Sequence, residues 1–200
     1  MTHSIRNLTR TLLHRGFASL FRYDFEQRRR DGSWQKLDRE VYARDDGAVC
    51  LLHDPAADTV LLVRQFRLPV HLARAGDADG APDAGMILAA PAGFLDGMEP
   101  EARMREELEE ETGYRVGALE HLFDLFMSPA YVPGAQSFFL GTYSPADRVG
   151  RGGGLASEGE DIEVVHLPLP EALEMVRRGE IVCGKTVVLL QALAGRVVRS

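Results

Sequence analysis

The sequence predicts a mixed α/β fold of the α+β kind, a sandwich of sheet and helices. Several short runs of β-branched and apolar residues are bounded by turn residues, which is the signature of strands. Other runs have helical spacing, one of them opened by a proline and closed by a glycine. The two kinds of run alternate unevenly along the chain, which points away from a regular βαβ winding. The chain has 200 residues, enough for one compact domain of about 150 with a small extra element.

In chain order, residues 21–29 and 34–43 read as two strands joined by Arg30-Asp31-Gly32-Ser33, where Asp-Gly supplies the positive φ of a tight hairpin. Residues 1–45 are therefore expected to form an N-terminal hairpin segment, and 46–200 the main domain. Upstream, Arg6, Arg10, Arg15 and Arg22 precede the first acidic residue, Asp24, the composition of an Arg-rich leader. The stretch runs straight into strand-like sequence, so we read it as part of the folded chain. A second, better buried hairpin follows at 48–52 and 60–66. Residues 74–85 are almost all Ala, Gly, Asp and Pro, a mobile loop. Strands are expected at 85–92, 119–126, 137–143 and 162–167, and helices at 100–112, 169–178 and 185–194. A Gly-rich loop spans 148–159. Phe123, Phe126, Phe138 and Phe139 read as core, and Tyr131 as exposed.

Twenty-three Lys and Arg face 30 Asp and Glu, a formal charge of -7. A general nucleic-acid binder, or one of anionic membranes, needs a basic face, so both are excluded as partners. No apolar run approaches the roughly 18 residues that cross a bilayer. Cys50 and Cys183 are too few for a disulfide scaffold and read as reduced thiols in a cytoplasmic protein.

The chemistry is concentrated at 106–111, where five of six residues are glutamate. Like charges three and four apart work against their own helix by a few tenths of a kcal/mol per pair, and a cation is the natural remedy. At about 100° per residue, Glu107, Glu110 and Glu111 share one sector while Met104 and Leu108 form an apolar stripe on another. Pro100 opens this helix and Gly113 closes it in a left-handed cap. Asp96, in the loop before it, is a candidate cap or outer contact. Several hard oxygen ligands at fixed positions suit magnesium and the phosphates it carries. His53, His71, His121 and His166 have no metal-ligand spacing.

The stretch 93–114, GFLDGMEPEARMREELEEETGY, resembles the Nudix box, G-x5-E-x7-R-E-U-x-E-E-x-G-U with U aliphatic. Glu107, Leu108, Glu110, Glu111 and Gly113 fall on the pattern. Glu99 stands one residue too close to them, Glu106 takes the place of the box arginine, and the nearest base is Arg105. Further segments resemble the GDP-mannose pyrophosphatase branch of that family over nearly the whole chain, among them Arg39-Glu40-Val41-Tyr42, Val63-Arg64-Gln65-Phe66-Arg67, Met127-Ser128-Pro129, Glu160-Asp161-Ile162-Glu163 and Gly184-Lys185-Thr186.

This resemblance implies a Nudix α/β/α sandwich whose N-terminal hairpin helps to form an intertwined homodimer, with Arg39 and Glu40 reaching the partner's site. It implies magnesium- or manganese-dependent cleavage of a nucleotide sugar, GDP-mannose giving GMP and mannose 1-phosphate. The Ala92 carbonyl with Glu107, Glu111 and Glu160 would hold the metal, and Glu110 would join them in the catalytic set. Phe17, Arg39, Glu40, Arg67, Ala92, Gly93, Phe94 and Lys185 would meet substrate. Ala89 and Gly134 stand where the branch often has glutamates. An ADP-ribose pyrophosphatase shares these features, and a nucleotide-binding module that does not cleave is the reading from another class. Since a pyrophosphate and an acidic site repel, divalent cations must stand between them, with Arg67 and Lys185 adding fixed positive charge.

Overall fold

The computed structural model describes residues 4–197, which divide into two compact units. Among the described residues, the first takes in 4–46 together with Phe126–Ala135. Its sheet has the order β1-β2-β3, formed by Ile5–Arg15, Ser19–Arg28 and Trp34–Ala43. The β2–β3 hairpin is the expected one, in unbroken antiparallel register from Ser19↔Ala43 to Arg28↔Trp34, and Gly32 supplies a φ of +87° in its turn.

The arginine-rich start, read as part of the folded chain, forms a strand of its own, β1, beyond the two expected for the hairpin. Its alternation is broken twice, between Arg6 and Thr9 and between Leu12 and His14, and Asn7 takes a φ of +56° in the first irregularity. Each slip moves the next side chains to the opposite face, which hides the two-residue period. No residue of β1 is buried; Leu8 is 53% exposed. Two of its arginines have local partners: Arg6 pairs with Glu26 at 2.6 Å and stacks over Trp34, and Arg10 stacks over Phe21. The segment 126–135 is tied in where Tyr42 donates its amide to the Tyr131 carbonyl at 2.9 Å and Ala135 donates to Asp46 Oδ1 at 2.7 Å.

The second unit holds β4 (Gly47–Asp54), β5 (Thr59–Phe66), β6 (Met86–Ala89), β7 (Ala92–Phe94), β8 (Leu119–Phe126), β9 (Ala135–Thr142) and β10 (Glu163–Pro168). The sheet order is β10-β5-β4-β9-β8, with β6 paired to β5 and β7 to β4. The parallel pairing of β4 with β9 makes the sheet mixed, as the uneven alternation required. The single strand expected at 85–92 is two, broken at Ala90-Pro91, where Pro91 has no N–H to give and its carbonyl accepts from Cys50.

Strand β4 is apolar on both faces, and its two-residue period builds two layers. Val49 and Leu51 pack with Phe138, Leu189, Leu190 and Leu193 under α3 (Leu169–Arg177) and α4 (Gly184–Val197). Ala48, Cys50 and Leu52 pack with Met104, Leu108 and Phe139 under α2 (Pro100–Glu107). Sheet between helices is the Nudix sandwich that the motif implied. Met104 and Leu108 form the buried stripe expected of them. Phe138 and Phe139 are core and Phe123 packs against it, whereas Phe126 is 61% exposed, outside the expected core. Helix α1 (Leu68–Ala75) lies in what reads as the approach to a loop; none of its residues is fully buried, and Val70 alone packs against the cluster of Val63, Ile87 and Ala89.

Candidate active site

Three segments of the second unit build the site, each fixed by a local cause. The first is the glutamate helix. Pro100 occupies its first turn, as expected, and Gly113 closes it at a φ of +77°. Asp96 makes no cap: the N-cap residue is Glu99, without a side-chain hydrogen bond, while Asp96 sits at a φ of +47° in the turn before it. The last turn, Leu108–Thr112, widens from α to π, a local winding that recurs at functional sites. The Thr112 hydroxyl bonds back to the Leu108 carbonyl.

The second segment is the glycine run 150–154, which docks against this widened turn. Gly153 donates its amide to the Glu111 carbonyl at 2.9 Å and Gly154 to the Glu110 carbonyl at 3.1 Å, satisfying groups that a helix end leaves open. Gly152 must be glycine: its φ is +69°, and a Cβ there would stand 2.5–2.6 Å from Thr112 and Glu111 backbone atoms. From sequence this stretch is a Gly-rich loop. Its backbone is bound to the helix, and it leads into Glu160, whose Oε2 accepts from the Leu155 amide at 2.9 Å.

The third segment is β7 with the strand end at Arg67. Ala92 donates its amide to Glu111 Oε2 at 3.3 Å. Gly93 lies against the other ligand candidate, so close that a Cβ would be 1.8 Å from Glu107 Oε1. Arg67 follows β5, donates its amide to Gly85 at 2.8 Å and caps α1 through its carbonyl, which accepts from Val70 and His71. Lys185 opens α4, with Nζ 3.5 Å from Gln136 Oε1.

Electrostatics single out two of the glutamates. Glu107 and Glu111 are buried. Burial pushes Glu107 up to about 7, against the pull of Arg103, with Glu110 and Glu160 adding repulsion. Burial, then Glu107 and Glu160, push Glu111 up to about 8. Lys185 is held below its usual value by burial, with Cys183, Arg67 and Glu111 within electrostatic reach. The structure thus brings together Glu107, Glu110, Glu111, Glu160, Arg67, Lys185, Ala92 and Gly93. Phe94 takes part through its carbonyl, which accepts from Arg103 Nε at 3.3 Å.

Phe17, Arg39 and Glu40 belong to the first unit. Phe17 is 72% exposed with the Arg44 guanidinium 4.4 Å from its ring centroid. Arg39 is paired across the sheet with Tyr23, and Glu40 with Arg22. Tyr131 is exposed as expected. The histidines have ordinary partners: His53 meets Asp58, His121 meets Asp124, His71 faces the Ala78 carbonyl, and His166 meets the Tyr143 hydroxyl. Sequence reasoning missed Gln136 and Arg103. The i, i+4 spacing of Arg103 to Glu107 was a usable signal.

A mixed sheet between helical layers, with buried carboxylates on a helix that opens beside a short strand, defines a Nudix hydrolase. Residues 4–42 match the family model described as the GDP-mannose pyrophosphatase NudK N-terminal domain. The GDP-mannose pyrophosphatase of Pectobacterium atrosepticum is 42% identical over 191 residues, 96% of this chain and 94% of the relative. That of Escherichia coli strain SMS-3-5 is 40% identical over 193 residues, 96% of each. The chain belongs to the GDP-mannose pyrophosphatase family of Nudix hydrolases.

Nudix pyrophosphatases generally use a divalent metal. Among the described residues no group of three or more His, Cys, Asp or Glu side chains forms a metal cage as placed. The donor set nevertheless fits a hard cation in one telling respect: Glu111 Oε1 is buried with no hydrogen-bond partner, a costly state for a carboxylate oxygen.

Proposed function

We propose that this chain hydrolyses GDP-mannose at its pyrophosphate bridge, releasing GMP and mannose 1-phosphate. The observation that carries the reading is the buried pair Glu107 and Glu111, one oxygen of which lacks any partner. The family relationship supports the same substrate class.

Glu107, Glu111, Glu160 and the Ala92 carbonyl would hold magnesium, with manganese as a substitute. When bound, such an ion neutralises phosphate oxygens and activates water for attack on phosphorus. The protein's own part is positioning and charge. The Ala92 amide fixes one oxygen of Glu111, leaving the other for the cation. Arg67 and Lys185 offer fixed positive charge to the phosphates, Arg67 braced between a strand end and a helix start and Lys185 desolvated and so more strongly interacting. Glu160, on the chain leaving the glycine run, is poised to accept a proton or ligate, and Glu110 shares the helix face.

We further propose a homodimer formed through the N-terminal sheet. Ile5, Leu8, Leu12, Leu13 and Phe17 are exposed on or beside a strand with no buried residue, and a short sheet needs an apolar partner to be stable. Among the described residues no helix is long and apolar enough to cross a membrane, and both cysteines are free thiols, in keeping with a cytoplasmic enzyme.

Hydrolysis in oxygen-18 water tests the bond broken. Attack on phosphorus places the label on GMP or mannose 1-phosphate. Release of GDP with labelled mannose overturns the mechanism, and faster turnover of ADP-ribose than of GDP-mannose overturns the substrate.

A further inference from the structure

The Nudix pattern sets an arginine directly before the first helix glutamate, and in this chain Glu106 stands there instead. The neighbouring base does not take over. Arg105 turns to the Val116 carbonyl at 2.9 Å, to the Gly117 carbonyl, and to Glu101 at 2.6 Å.

Arg103, one turn earlier, reaches forward into the carboxylates. Its Nη2 is 2.5 Å from Glu107 Oε1, and its Nη1 is 3.2 Å from Glu106 Oε2 and 3.6 Å from Glu110 Oε2. Its Nε donates to the Phe94 carbonyl at 3.3 Å, so the same guanidinium also grips the chain leaving β7. The side chain is only 14% exposed, which sets it apart from a solvated surface pair.

We propose that Arg103 is a positioning residue for the metal site, standing in for the displaced box arginine: it clamps Glu107 to the end of β7 and so fixes the carboxylate for its cation. Glu107 Oε1 is paired with Arg103 and lies where any side chain at Gly93 would stand, so both residues bear on where the carboxylate sits. A planar fork with five donors can serve a carbonyl and two carboxylates at once, which a lysine cannot. An arginine that competed with the metal for Glu107 would give the opposite sign, tighter binding on its removal.

This inference rests on the reading of Glu107 as a metal ligand, and the experiment separates the two. Mn2+ uptake by the full-length enzyme without substrate is followed by electron paramagnetic resonance, with melting temperature in chelator as the check on folding. Arg103→Met weakens Mn2+ binding about 10-fold or more, as loss of a partner behind a metal ligand commonly does. Arg103→Lys recovers part of that loss. Arg105→Met, the same charge change on the same helix, lowers the melting temperature and leaves Mn2+ affinity unchanged. Wild-type protein that takes up no Mn2+ overturns the metal reading itself. Wild-type binding matched or exceeded by Arg103→Met, or an equal loss in Arg105→Met, overturns the role given to Arg103.

Discussion

Replacing Glu111 by glutamine should make the metal-free protein more stable while disabling it. Its surroundings raise Glu111 from an ordinary 4.5 to about 8, through burial first and then Glu107 and Glu160. At pH 7 the unfolded chain has released this proton and the folded chain still holds it. From 4.5 to 7 that mismatch spans about 2.5 pH units, which at about 1.4 kcal/mol each is about 3 kcal/mol against folding, an upper figure because the site relaxes. The sign follows from proton counts: the folded state binds more protons between 4.5 and 8, so stability falls as pH rises through that window. Glutamine carries no such charge, and it can still accept from the Ala92 amide. In chelator, Glu111→Gln should therefore melt several degrees above wild type at pH 7, at about 2–4 °C per kcal/mol for this chain length, and with little difference at pH 5. A divalent cation should raise the wild-type melt and narrow or reverse the gap, since ligands stabilise only the state that binds them. Turnover in the variant should fall at least ~100-fold. Differential scanning calorimetry at both pH values, with and without metal, gives every number. A variant that melts below wild type in chelator at pH 7, or a gap that does not change with pH, would refute the reasoning.

Gly93→Ala places a Cβ 1.8 Å from Glu107 Oε1 and must displace that carboxylate; metal-dependent turnover should drop at least ~100-fold, as other losses at metal sites do. Because the clash is with the end of a side chain rather than with backbone, circular dichroism should stay native. For the assembly, light scattering of the full chain should give twice the mass of one chain. The double change Leu8→Asp, Leu12→Asp on the exposed strand should shift it to one; a wild-type monomer with full activity refutes the dimer.

Much of the second unit could be read from residues because local and global preferences agree there. The apolar run of β4, the proline and glycine that bracket the glutamate helix, and the stripe of Met104 and Leu108 all describe elements whose own packing decides their shape. The carboxylates were legible for the opposite reason, since five glutamates in six residues make no sense for an isolated helix. Strand β1 was hidden by its two slips, and α1 by its eight-residue length and its lack of a fully buried residue. The docking of the glycine run could not be seen because it consists of backbone hydrogen bonds, which leave no mark on side-chain pattern. Arg103 and Arg105 differ by two positions on one helix, and only the direction of each side chain separates a clamp on Glu107 from a brace on Val116 and Gly117.

The π turn and the glycine run carry an evolutionary consequence. Each of Glu110 and Glu111 is joined to a glycine some forty residues later through its own carbonyl, and Gly152 rests directly on the Glu111 and Thr112 backbone. A mutation that restored α winding would turn two acids and strand two amides in the distant loop, while a side chain at Gly152 would prise open the turn from outside. Neither stretch is free to drift alone. In descendants of this gene the two segments should change together or not at all, so that a lineage losing the glycines would be expected to have lost the widened turn, and with it the spacing of the acids, in the same step.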